Sequence, residues 1–153
     1  MNARASEHFK WSEFYCSLTK ELIVNDLTLA HIEKLETLRI ELGIGLQVTS
    51  GYRSPAHNNS KAVGGAPNSM HLKFATDIRP IFSANDFTET LDLIASLAEE
   101  LGFSGIGRYD SFVHLDCRFL IGRREAHWDD RSWIPTQPQS AKREGEGNAD
   151  AVE

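Results

Sequence analysis

Two histidines and two aspartates sit inside segments that otherwise have the make-up of strands: Ser69-Met70-His71-Leu72-Lys73-Phe74-Ala75-Thr76-Asp77, and downstream Phe112-Val113-His114-Leu115-Asp116. Buried imidazoles and carboxylates need partners or a metal. A strand is thus an odd place to keep imidazole and carboxylate. A zinc ion that activates water needs three ligands from His, Asp, Glu or Cys and an open fourth position. His71, Asp77 and His114 can supply that set. For either histidine alone a satisfied core or surface residue is the simpler reading; the two segments together favour a metal.

Side chains two apart on a strand share a face. If 112–118 is a strand, His114 and Asp116 face together, while Val113, Leu115 and Cys117 face the other way. One group could then hold an ion while the other takes a proton from water. The competing reading is that Asp116 only orients His114, or pairs with Arg118 or Arg79.

The chain of 153 residues is long enough for one domain with a real core. We expect a flexible N-terminus over 1–8, a folded domain over 9–136 and a disordered acidic tail over 137–153. The net charge of −6, with no basic face, argues against nucleic acid as a partner. Cys16 and Cys117 read as separate packed thiols and not as a disulfide framework. The first residues lack the apolar run of an export signal, and no segment is long enough to span a bilayer. The expectation is a monomer; its localisation stays unknown, cytoplasmic before release and at the cell wall if a holin-like or other route exports it.

Trp11-Ser12-Glu13-Phe14 reads as a short turn or helix start, with Ser12 as cap. Leu29, Ile32, Leu35, Leu38 and Leu42 recur at helical spacing, with Thr28 as N-cap and Gly43 as the stop. Leu46 to Ser50 reads as a strand, Tyr52 to Ser69 as a long irregular loop, and Ala75 to Arg79 as a short strand closed by Pro80. A second helix carries Phe87, Leu91, Ile94, Leu97 and Leu101, capped by Ser83 or Asn85 and ended by Gly102. Gly105-Ile106-Gly107 and Phe112 to Arg118 form a hairpin. The order of elements predicts an α+β domain, helices packed on a small antiparallel sheet.

Taken together, these pieces resemble the M15 family of zinc D,D-carboxypeptidases and murein endopeptidases, in particular its small phage-type domain. The resemblance runs from Trp11-Ser12-Glu13-Phe14 through Thr49-Ser50-Gly51-Tyr52-Arg53-Ser54, Asn58 and Val63 to His71. It resumes at Ala75-Thr76-Asp77-Ile78 and at Gly105-Ile106-Gly107 through Arg118. It implies a hedgehog/D,D-peptidase-like fold, Zn2+ as cofactor and His71, Asp77 and His114 as its ligands. It also implies that Arg53 meets a substrate carboxylate or a developing oxyanion, a task that suits a planar, permanently charged guanidinium.

Two departures stand out. Most relatives place the aspartate seven positions after the first histidine, with a glycine between; here the step from His71 to Asp77 is six and Phe74 stands where the glycine would be. On a strand such a deletion would turn the carboxylate to the opposite face. Several relatives also carry an acidic base three residues before the last histidine, where this chain has Ser111. Asp116 is the replacement base, with Asp110 behind it.

The leading expectation is a zinc metallopeptidase whose partner is a peptidoglycan stem peptide or cross-link. The alternative is a non-catalytic cell-wall-binding or phage structural module that keeps the fold; a third reading is a zinc hydrolase of another small peptide or amide. Among minor positions, Ser69 reads as a turn residue, and Tyr52 and Tyr109 as core, rim or cleft. His57 reads as a loop histidine, His8, His31 and His127 as structural or surface, and Trp128 and Trp133 as cover for the sheet or domain edge.

Overall fold

The computed structural model describes residues 3–81 and 87–132. Its described helices are α1 (Asp26–Leu42), α2 (Pro55–Asn58) and α3 (Phe87–Glu100). Its strands are β1 (Leu46–Ser50), β2 (Ala75–Pro80), β3 (Gly105–Arg108), β4 (Val113–Asp116) and β5 (Ala126–Asp129), and single 3₁₀ turns cover Trp11–Phe14, Met70–Leu72 and Arg118–Ile121. The architecture is α+β.

Helix α1 starts earlier than the expected cap at Thr28. Asn25 is the N-cap, its side chain accepting the Thr28 N–H at 3.1 Å. This satisfies one of the donors that every helix start leaves open. Gly43 closes the helix with φ 70°, a conformation glycine takes without penalty. The buried stripe is Leu27, His31, Ile32, Leu35 and Leu38. Leu29 points outward, 51% exposed; at 3.6 residues per turn it stands about 200° round the helix from Leu27. Helix α3 buries Leu91, Ile94, Ala95 and Ala98, and Gly102 with φ 94° follows it. The caps expected at Ser83 or Asn85, Trp133 and the tail 137–153 lie outside the described residues.

The sheet order is β1-β2-β4-β3-β5. Every pairing is antiparallel except the last: β5, a strand the sequence reading did not include, lies parallel to β3. After β4 the chain passes through the turn Arg118–Ile121 and Gly122, then crosses to the far edge, so it runs with β3. The small antiparallel sheet expected is thus a mixed one.

One face of this sheet packs on the helices. Ile78, Val113, Leu115 and Ile106 point into a core shared with Leu35, Leu38, Ile94, Ala98, Phe14 and Phe103. His31 is part of this core: its Nε2 pairs with Thr76 Oγ1 at 2.9 Å, and its ring sits edge-on to Phe74 and Phe103. Residues 3–8, the described part of the segment expected to be flexible, carry tethers. Ser6 Oγ donates to Glu36 Oε1 at 2.6 Å, and the His8 backbone N–H donates to the same oxygen at 2.9 Å. Cys16 and Cys117 are free and buried. Cys16 is not simply apolar filling, since its thiol touches Ser54 Oγ and His57 Nδ1. No described helix is long and apolar enough to cross a membrane.

Candidate metal centre

The opposite face of the sheet carries the ionisable groups. In the ladder Asp77 is paired with His114 across β2 and β4, and His114 in turn with Gly107 on β3. The two-residue alternation that sends Thr76 and Ile78 into the core sends Asp77 to the other face. His71 is not on the strand. It belongs to the 3₁₀ turn Met70–Leu72, whose N-cap Ser69 accepts the His71 N–H at 3.2 Å. The shortened step from His71 to Asp77 therefore falls in the link through Lys73 and Phe74, ahead of β2, and Asp77 keeps its face.

Three side chains converge. His71 Nε2 lies 3.2 Å and His114 Nδ1 3.1 Å from the same oxygen, Asp77 Oδ1. One ligand-type atom from each of the three residues lies within 4.8 Å of the others, and all three residues are buried. Each histidine is held from behind. His71 Nδ1 donates to the Gly51 carbonyl at 2.7 Å, and His114 Nε2 donates to Asp116 Oδ2 at 2.7 Å. With the far nitrogens committed to Gly51 and Asp116, the near nitrogens would turn their lone pairs, together with Asp77 Oδ1, towards a bound cation. The group could hold a cation, and an acceptor behind each histidine is the usual support of a metal site. The donor set, two imidazole nitrogens and a carboxylate, suits zinc.

The electrostatics of the metal-free protein follow from this packing. Burial alone would raise the Asp77 carboxyl, but hydrogen bonds with His114 and His71 outweigh it and hold Asp77 well below the usual carboxylate range. Burial alone would push His114 down; the Asp116 and Asp77 carboxylates prevail and push it up. Asp116 is likewise held low, because His114 and Arg118 outweigh its burial.

Asp116, the expected base, is not among the described residues that line the cleft over His71, Asp77 and His114. It is fully buried behind His114. Its Oδ1 accepts from Arg118 Nε and from the Arg118 backbone N–H, both at 2.9 Å, and its Oδ2 accepts from Arg118 Nη2 at 2.8 Å. Both oxygens are thus committed to His114 and Arg118, an arrangement that favours the orienting reading of Asp116 over the base reading. Asp110, the reserve candidate, turns elsewhere: its Oδ1 accepts the Ser132 N–H at 3.0 Å. It is not among the described residues that line the cleft over His71, Asp77 and His114.

That cleft has a volume of about 400 Å³, and Arg53 lines it. Ser50-Gly51-Tyr52 leads from β1 into the arginine. Gly51 is required there because a Cβ would press on the Phe14 backbone. The Arg53 N–H donates to the His71 carbonyl at 2.8 Å and Nη1 donates to Asn58 Oδ1 at 2.9 Å. Asn58 sits at the end of α2, which Ser54 caps, and its amide holds the Ala66 carbonyl at 2.9 Å. A helix thus forms inside the stretch expected to be irregular, and it positions the guanidinium.

Trp128 on β5, expected to cover the sheet or the domain edge, lies over the sheet and also lines the cleft, a role the sequence did not single out. Its ring lies over Gly107, where a Cβ would overlap it, and stands 5.2 Å from the His114 ring. Arg118 stacks over it at 5.2 Å. Gly105, two residues earlier on the same face, leaves room for the Asp116 carboxylate in the same way. The signal was present in Gly105-x-Gly107: two glycines at strand spacing mark a face on which larger groups must lie close.

Over residues 7–116 the chain matches the family described as Peptidase M15. No curated protein matches it.

Proposed function

The chain belongs to the peptidase M15 family, and from that premise we propose that it is a zinc metallopeptidase cleaving peptide bonds in peptidoglycan stem peptides or cross-links. The observation that carries this reading is the convergence of His71 Nε2, His114 Nδ1 and Asp77 on one point at the floor of a cleft. These three groups would hold the ion, which supplies positive charge to polarise a carbonyl and lowers the pKa of water towards ~7.

The other groups act around that centre. Gly51 and Asp116 fix the rings of His71 and His114. Arg118 neutralises Asp116, so a buried carboxylate is available behind His114 without a second free charge. Arg53, anchored through one nitrogen to Asn58, has donors left for a substrate carboxylate or for the oxygen that turns anionic as a peptide bond is attacked.

The test is metal analysis and product identification by mass spectrometry on purified murein. Zinc at one per chain, together with new peptide termini, is the expected result. Arg53→Lys keeps charge and loses the two-pronged fork, so it should leave zinc content and melting unchanged while lowering kcat/KM. Full zinc occupancy with intact murein would instead favour a non-catalytic wall-binding module. Ser111, where several relatives carry an acid, speaks for that second reading.

A further inference from the structure

With Asp116 and Asp110 both turned away, the cleft poses a problem of proton and charge handling. Asp77 is the sole carboxylate among the described residues that line it. The cleft also holds one phenol, Tyr109, in the turn between β3 and β4. Its placement is tightly specified. The Tyr109 N–H donates to the Phe112 carbonyl at 3.1 Å, and the two rings stack with centroids 4.4 Å apart and planes 12° from parallel. Trp128 Nε1 donates to Tyr109 Oη at 2.8 Å. Trp128 is itself seated on Gly107 and against His114, so the phenolic oxygen is indexed to the metal centre through one rigid side chain.

A hydroxyl that accepts from an indole N–H must direct its own hydrogen elsewhere. No described residue accepts it. Burial, followed by the nearby Asp130 and Asp77 charges, pushes the phenol up despite the Trp128 hydrogen bond, so the group stays a donor at neutral pH. A fixed neutral donor in a cleft with charge developing at its floor is the arrangement that stabilises an oxyanion.

Resting on the peptidase reading above, we propose that Tyr109 is a catalytic residue whose O–H donates a hydrogen bond to the anionic oxygen of the tetrahedral intermediate. Arg53 approaches from the loop between β1 and α2, and Tyr109 from the β3–β4 turn. The hydroxyl keeps its proton throughout, so no proton acceptor is needed for this step.

The bland alternative is that the hydroxyl exists only to hold the Trp128 indole. Two variants of the zinc-loaded chain separate these roles. Tyr109→Phe keeps the ring stacked on Phe112 and deletes the hydroxyl; Trp128→Phe keeps an aromatic ring over Gly107 and deletes the indole N–H. The probe is a phosphinate analogue of a D-Ala-D-Ala dipeptide, whose anionic tetrahedral centre mimics the intermediate. In Tyr109→Phe, kcat/KM and phosphinate affinity should fall together, on the order of 10²-fold, with zinc content, melting temperature and KM unchanged. Trp128→Phe should lose far less of both. Equal losses in the two variants, or an unmoved phosphinate constant in Tyr109→Phe beside an active parent, would overturn the assignment and leave the peptidase reading standing. A zinc-loaded parent that neither cleaves murein peptides nor binds the phosphinate would overturn both.

Discussion

Thr76 and Asp77 are neighbours on one strand, yet they belong to different solvents. Thr76 points to the helix-packed face, where it pairs with His31 among Phe74 and Phe103. Asp77 points to the cleft face, where it meets His71 and His114. The same side-chain type responds in opposite ways. Burial, the leading cause, pushes His31 down to about 3, so it is neutral packing material. On the other face two carboxylates overcome burial and push His114 up. The sheet is a partition, and what an imidazole does in this protein depends on which side of it the imidazole stands.

The sharpest way to break that comparison is to exchange the fates of the two neighbours. Asp77→Asn should abolish tight metal binding and murein cleavage, as should His71→Ala and His114→Ala, while the core stays folded. Thr76→Val should do the reverse. It keeps the metal and costs roughly 1–3 kcal/mol, the usual penalty for leaving a buried partner, here His31 Nε2, unsatisfied. Metal analysis by mass spectrometry with urea melts on both proteins checks the pair. Metal lost from Thr76→Val, or retained at full affinity by Asp77→Asn, would mean the faces are not independent.

A smaller effect is expected one layer behind the ligands. If Asp116 orients His114, Asp116→Asn should weaken zinc binding by about 10–100-fold, typical for a hydrogen-bond partner of a ligand histidine. At saturating zinc kcat should then return close to the parent value. Loss of a general base would instead lower kcat by roughly 10²–10⁴ with the metal in place. Competition titration with a chelator, followed by rates at fixed free zinc, separates these outcomes.

The divide between the faces also explains what was legible in the sequence. Period-two alternation in Val113-His114-Leu115-Asp116 put Val113 and Leu115 in the core and His114 and Asp116 on the opposite face, because strand geometry alone assigns the faces. Leu46–Ser50 and Gly43 were readable for equally local reasons. The sequence left Asp116 between a base and a partner of His114, Arg118 or Arg79; where Arg118 lies bears on that choice, and it follows from the turn after β4. That Trp128 lines the cleft was not readable, because β5 pairs with β3 from a distance in sequence, and its exposed-intermediate alternation carries little apolar signal. His31 could be called structural, but only its tertiary partners Thr76, Phe74 and Phe103 show that it is core.

The smallest effect sharpens the contrast from the core side. His31 is fully buried, and its Nδ1 has no partner among the described residues, so charging it in the folded state has nothing to offset the loss of water. Its ordinary value is 6.5 and its folded value about 3. The unfolded chain therefore takes up a proton that the folded chain refuses. Stability from this group is complete above pH 6.5 and is lost as pH falls towards 3. In metal-free protein, where zinc release does not intrude, the loss between pH 7 and 5.5 should be about 1 kcal/mol. His114 works in the other direction: raised in the fold, it favours folding below 6.5 and loses that contribution as pH rises. Urea melts of metal-free parent and His31→Gln at pH 7, 6 and 5.5 isolate the core histidine, since glutamine can still reach Thr76 and does not titrate. The acid slope should flatten in His31→Gln; an unchanged slope would place the proton uptake outside the core.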